Sequence, residues 1–165
     1  MAEQSGYPKK LKGIKEINFN TSYVPTTHEA GKVHWDSTNG TLSIDLIGSI
    51  AELPVGQNGL AYVKNDQGAI LEKGNIVYVS GASGTNVNVK LASNADADTI
   101  NILGMVYEDI GIGGSGFICL WGVVRGTTAQ PLDTNSWTAG TTLFLGTAGT
   151  FTNTLPAVTN ANIIV

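Results

Sequence analysis

The residues able to do chemistry in this chain are few and scattered. His28, Glu29, His34 and Asp36 form one cluster that could tempt a metal assignment, because imidazole and carboxylate are common metal donors. Their spacing is not the H-E-x-x-H of a helical zinc site, and no thiolate or further histidine lies near. Surface and turn roles are expected for all four, and no metal ligand is assigned. The carboxylate pairs Asp96/Asp98 and Glu108/Asp109 have the residue types that glycoside hydrolysis needs. Yet Ala95-Asp96-Ala97-Asp98 is a polar, loop-like stretch, and adjacent Glu108 and Asp109 should point to opposite faces of an extended segment. Cys119, the only cysteine, sits in Phe117-Ile118-Cys119-Leu120-Trp121 and reads as a buried small hydrophobe, not a nucleophile. With no G-x-S-x-G elbow and two histidines distant from the thiol, no catalytic residue and no cofactor are assigned.

Gly111-Ile112-Gly113-Gly114-Ser115-Gly116 matches the dinucleotide fingerprint G-x-G-x-x-G letter by letter. That fingerprint works where its glycines lead from a strand into a helix whose N-terminus holds the pyrophosphate. Here they lead into the strand-like 117–121 run, so a flexible hairpin loop is the better reading. Trp35, Trp121 and Trp137 could be stacking platforms for sugars, but aromatics on strands are more often core or interface residues, and Trp121 is read as core. Trp137 follows Asn135-Ser136 in a loop, and with Tyr78 it is the position where stacking on a host glycan is kept as an alternative. The sequons at Asn20 and Asn39 carry no consequence, because the start of the chain lacks the basic and apolar regions of a secretion signal.

The elements that must position these residues are β-strands. Charged residues are only 13% of the 165, and 21 glycines with recurring Thr, Ser and Asn separate the apolar runs, a profile of short strands and turns. The net charge of −4 argues against a nucleic-acid partner. Residues 1–35 run the other way, with Lys9, Lys10, Lys12, Lys15 and Lys32 against Glu3, Glu16 and Glu29. No apolar run is long enough to span a membrane, and a soluble product made in a cytoplasm is expected. A single cysteine leaves packing or oligomerisation to stabilise the fold.

Residues 1–30 read as an extended N-terminal arm, interrupted by Pro8, Gly13 and Pro25. Its apolar Ile14, Ile17, Phe19, Tyr23 and Val24 suggest that it lies against something else. Residues 31–49 read as a hairpin, in which Val33-His34-Trp35 turns through Asp36–Gly40 into Thr41–Leu46. Leu42, Ile44 and Leu46 alternate with polar residues there, the pattern of a strand with its apolar face buried. Residues 50–165 read as a β-rich module with strands at 60–64, 75–80, 87–91, 100–107, 117–124 and 141–145. A faint repeat sets Lys73–Val79 beside Ala139–Leu145. If that repeat is real, the sequence stops within a strand at Ile163-Ile164-Val165, and the natural product is longer or this strand pairs with another chain.

The run Val63-Lys64-Asn65-Asp66-Gln67-Gly68-Ala69-Ile70 through Gly74-Asn75-Ile76-Val77-Tyr78-Val79-Ser80-Gly81-Ala82 resembles a module of tailed-bacteriophage and prophage structural proteins. Ile102–Ile110 and Gly122–Gly126 continue the pattern. Phe19–Pro25 and Gly31–Asp36 resemble the opening found before that module in phage tail-fibre proteins. The resemblance covers about residues 17–165 and rests on glycine-spaced β patterns, and it carries no catalytic residue. It implies a virion structural protein of the tail-fibre type, synthesised in the bacterial host's cytoplasm, with other tail, baseplate or head proteins as partners. A head fibre or capsid-decoration protein is the alternative it leaves open, and a host-glycan receptor-binding module is a third.

The expected architecture is therefore all-β: short antiparallel strands in a compact sandwich or barrel-like module, preceded by an extended arm and hairpin. Ile17, Phe19, Tyr23, Val24 and Trp35 are the candidate attachment or oligomer-interface residues. A closed homo-oligomer is expected because partner chains relieve exposed apolar surface, and the resemblance to tail fibres makes it a trimer.

Overall fold

Alternation of apolar and polar residues between turn clusters produces ten strands and no helix among the residues the structure describes. It is a computed structural model that describes residues 12–48, 50–127, 132, 137–138 and 140–156. The first residues of the arm, the basic pair Lys9-Lys10 and the C-terminal Ile163-Ile164-Val165 lie outside the described residues.

The hairpin forms as its turn chemistry dictates. Strands β1 (Val33–Asp36) and β2 (Thr41–Asp45) pair antiparallel, with Trp35 opposite Leu42 and His34 opposite Ser43. Asp36 closes the turn, its carboxylate accepting the backbone N–H groups of Thr38 at 2.8 Å and Asn39 at 3.1 Å. A third strand, β3 (Glu52–Pro54), pairs with the other edge of β2 and completes a small sheet.

Five further strands close a barrel in the order β4 (Gly59–Asn65), β6 (Asn86–Leu91), β5 (Ile76–Ser83), β7 (Ile102–Val106) and β8 (Ser115–Trp121). The expectation of antiparallel strands needs one correction, because β4 and β6 run parallel. A closed ring with an odd number of strands cannot alternate direction all the way round, so at least one neighbouring pair must be parallel. The pair is set by the β5–β6 hairpin, whose two-residue loop begins at Gly84 with φ +64°. Folding back through that loop inserts β6 between β5 and β4.

Val63, Leu71, Val77, Val89, Val106, Ile110 and Ile118 fill the barrel, all buried. Asn65, 1% exposed, ties the end of β4 to its surrounding loops. Its amide donates to the carbonyls of Ala69, Ile110 and Gly111, while its oxygen accepts the Gln67 N–H at 2.7 Å. A second apolar cluster forms outside the barrel, where Ile76 and Ala92 are covered by Leu145. Leu145 belongs to a short ribbon of β9 (Phe144–Leu145) and β10 (Phe151–Thr152). Its turn is bonded to the barrel through Ile76 N–H to Gly149 O at 2.8 Å and Asn94 N–H to Gly146 O at 3.0 Å. The C-terminal partner of the internal repeat thus packs on the first copy instead of forming a second barrel strand.

Two readings of burial are overturned. Trp121, expected in the core, is 59% exposed. It ends β8 beside a register shift at Gly59/Leu60, and its ring covers Gly59 from outside. In the hairpin the buried face is the polar one: Ser43 and Asp45 are buried, whereas Leu42 and Ile44 are only half-buried.

Candidate functional site

The pleat of the small sheet gathers its polar residues on one side. His34 of β1, Ser43 and Asp45 of β2, and Glu52 and Pro54 of β3 share a face, since His34 pairs with Ser43, Ser43 with Pro54 and Asp45 with Glu52. His34, Ser43 and Asp45 are buried, and Glu52 is 33% exposed at its side chain. One ring nitrogen of His34 and one oxygen from each of Asp45 and Glu52 lie within 4.8 Å of one another. His34 Nε2 is 3.2 Å from Glu52 Oε1, and His34 Nδ1 is 3.8 Å from Asp45 Oδ1. None of these alignments makes a hydrogen bond: both His34 nitrogens, Glu52 Oε1 and Ser43 Oγ are buried without one.

The other Asp45 oxygen, Oδ2, accepts the Glu29 backbone N–H at 2.9 Å, which fixes the carboxylate's orientation. The backbone on either side is pinned as well, by Gly31 N–H to Asp45 O at 2.8 Å and Asp45 N–H to Lys32 O at 2.9 Å. His28 Nε2 lies 3.1 Å from Ala51 O. Residues 28–32 are thus held against the sheet edge, beside the cluster.

Glu52 also borders a polar cleft of about 170 Å³ between the small sheet and the barrel, lined in addition by Asn58, Lys73, Tyr107 and Arg125. Burial pushes the Tyr107 hydroxyl up to about 12, with the negative charge of Glu52 and the Cys119 thiol adding to it. Burial lowers the Lys73 ammonium despite nearby Asp109 and Glu108. Lys73 Nζ stands 5.6 Å from the Tyr107 ring centroid, and its backbone N–H donates to Asp109 at 2.8 Å. Glu108 is buried against Gly48, where a Cβ would come within 2.3 Å of its carboxylate.

The four residues weighed as metal donors separate. His28 and Glu29 are exposed and Asp36 serves its turn, as the sequence suggests, but His34 is buried, which corrects its expected surface role. Burial acts to raise the Asp36 carboxyl, yet the N–H groups of Asn39 and Thr38 outweigh it and hold the group below its ordinary value. Asp45 and Glu52 escaped sequence reading. The signal available for Asp45 was its place two residues from Ser43 on the polar face of β2. Nothing local connects Glu52 to His34 until the β2–β3 register is known. The carboxylate pairs do not form a site: Asp96 and Asp98 are exposed, and buried Glu108 and exposed Asp109 point apart. Cys119 is buried, and burial raises its thiol. Gly111–Gly114 form a turn into β8, with no helix to cradle a phosphate.

Of the attachment candidates, Ile17 is 63% exposed and Val24 is 70% exposed; Tyr23 is exposed, and Phe19 and Trp35 are half-buried. Tyr23 carries Lys32 Nζ at 5.7 Å from its ring. Trp137 is half-buried and meets Phe151 edge-on at 5.6 Å, and Tyr78 is half-buried against the cluster of Ile76 and Leu145. Among the described residues no helix is long and apolar enough to cross a membrane. Compared with protein-family models, with curated proteins and with solved structures, the chain matches none of them.

Proposed function

We propose that this chain is a non-enzymatic structural subunit of a bacteriophage particle, a tail-fibre or tail-appendage component attached to the virion through its N-terminal region. The observation that carries the reading is the inverted small sheet. Its polar face is turned inward, while Val33, Trp35, Leu42, Ile44 and Leu53 form the opposite face and stay half-buried or exposed. The preceding segment adds Ile17, Tyr23 and Val24, exposed side chains on a stretch that forms no strand between residues 12 and 32. Burying an exposed side chain of this kind fully is worth up to about 1.5–3 kcal/mol, and a subunit contact is the setting in which this arm and sheet face would be covered. The resemblance to phage tail-fibre proteins supplies the setting and the trimer.

The test combines mass and location. Light scattering on the full chain should give a closed oligomer, and a shortened chain starting at Gly31 should keep the barrel but lose attachment. A full chain that stays monomeric at micromolar concentration would sink the oligomer. Labelling of intact particles decides between tail and head, and absence of the protein from purified particles would end the virion reading. Stacking on host glycan receives less support, because Trp137 and Tyr78 both spend ring surface on neighbours within the chain.

A further inference from the structure

We propose that His34, Asp45 and Glu52 bind one divalent metal ion of the zinc class, and that this ion pins the three strands of the small sheet to one another. Asp45 and Glu52 stand directly opposite each other across β2 and β3. Like charges at that position destabilise a sheet, and the burial of Asp45 deepens the cost. A charged His34 would still leave the trio at a net negative charge. A neutral His34 with a divalent cation brings it to zero. Lys73 and Arg125 share the cleft with Glu52 and offset part of its charge, but Asp45 faces the sheet interior with a single backbone N–H on its far oxygen.

The second observation is the set of unsatisfied atoms. His34, 5% exposed, lies within 3.2 Å of Glu52 and makes no hydrogen bond with either ring nitrogen. Glu52 faces Nε2 of the ring and Asp45 faces Nδ1, so an ion would be held by one ring nitrogen with both carboxylates drawn toward it. A tetrahedral ion with N and O ligands at about 2.0–2.2 Å spaces those ligands roughly 3.3–3.6 Å apart. One His34 nitrogen and one oxygen each from Asp45 and Glu52 lie within 4.8 Å of one another, wider than that spacing, so the two carboxylates must close by about 1 Å on a single ring nitrogen to complete the site. Ser43 Oγ, fully buried without a partner on the same face, stands next to the trio. The Glu29 N–H on Asp45 Oδ2 leaves Oδ1 for the ion and holds the carboxylate in place, as outer hydrogen bonds do at built metal sites. Glu52 opens on the cleft, which gives the ion a route in and a position for water as fourth ligand.

Imidazole with two carboxylates favours zinc, manganese or cobalt over calcium and magnesium, which prefer oxygen alone. The three ligands come one from each strand, so the ion cross-links a sheet whose strands of three to five residues are marginal by themselves.

The experiment uses the untagged full chain, stripped with chelator and titrated with zinc chloride by calorimetry, with cobalt chloride as a spectroscopic probe. One equivalent should bind, visible cobalt bands should appear, and the melting midpoint should rise by roughly 5–10 °C at a hundredfold excess over the dissociation constant. Glu52→Gln and Asp45→Asn keep shape and should each weaken binding at least tenfold and alter the cobalt spectrum, while His28→Ala should do neither. The proposal is overturned if the folded chain takes up no zinc at 100 µM, a concentration on the order of the weakest useful sites. It is equally overturned if His28→Ala abolishes binding while Glu52→Gln and Asp45→Asn leave it intact. Circular dichroism of each variant confirms folding. If Asp45→Asn unfolds, Glu52→Gln at the cleft decides the matter alone.

Discussion

Replacing Asn65 with alanine should destabilise the barrel by about 3 kcal/mol. Three hydrogens are committed to this side chain: two amide hydrogens shared among Ala69, Ile110 and Gly111 carbonyls, and the Gln67 N–H donated to its oxygen. A typical intramolecular hydrogen bond contributes about 0.5–1.5 kcal/mol net, and stranding a buried partner costs about 1–3. Ile110 O keeps the Leu71 N–H at 3.0 Å, and Ala69 and Gly111 are exposed enough to recruit water. The lower figure therefore applies to each of the three hydrogens. In a chain of this length that loss lowers the melting midpoint by roughly 6–12 °C. Denaturant titration followed by tryptophan fluorescence gives the free energy directly. Asn65→Asp sharpens the test, because it keeps the acceptor for Gln67 but turns a carboxylate toward three carbonyls. Its folded pKa must rise above the ordinary value of about 3.9, so the added penalty is absent below that pH, grows as the pH rises from there to the folded value and stays constant above it. At neutral pH Asn65→Asp should be no more stable than Asn65→Ala, and near pH 3 it should be the more stable of the two. A loss under about 0.5 kcal/mol for Asn65→Ala would refute the claim that this side chain organises the loops.

Gly104→Ala should cost at least 1–3 kcal/mol, since its Cβ would come within 2.4 Å of the Cys119 carbonyl on the neighbouring strand, whereas Gly68→Ala, with nothing within 4 Å, should be near neutral in the same melt. Leu145→Ala should cost about 2–5 kcal/mol if the β9–β10 ribbon is part of the cooperative fold, and a much smaller effect would mean that it unfolds separately. Tyr107 is neutral in both folded and unfolded chains below about pH 10; its folded pKa of about 12 means that stability is lost as pH rises from 10 to 12, and Tyr107→Phe should remove that slope from a plot of melting midpoint against pH.

Local chemistry by itself determined that this chain is all-β, because alternation and turn residues act within a few positions. The Asn39-Gly40 turn marks the first hairpin, and strands β4 to β8 lie within a few residues of the runs that alternation marks. Cys119 was legible as buried for the same reason, flanked as it is by apolar residues. Tertiary structure decided what depends on which strands become neighbours. The parallel β4–β6 pair follows from closing five strands into a ring, a condition that no segment carries alone. Which face of a strand is buried depends on what packs against it, so alternation at Leu42 and Ile44 marked the two faces but misassigned the inner one. Trp121 fell outside for a similar reason, at a strand end where a register shift turns the chain. The trio of His34, Asp45 and Glu52 arises from cross-strand register, and register is a property of pairing: each residue looks ordinary along the chain until β1, β2 and β3 are set side by side.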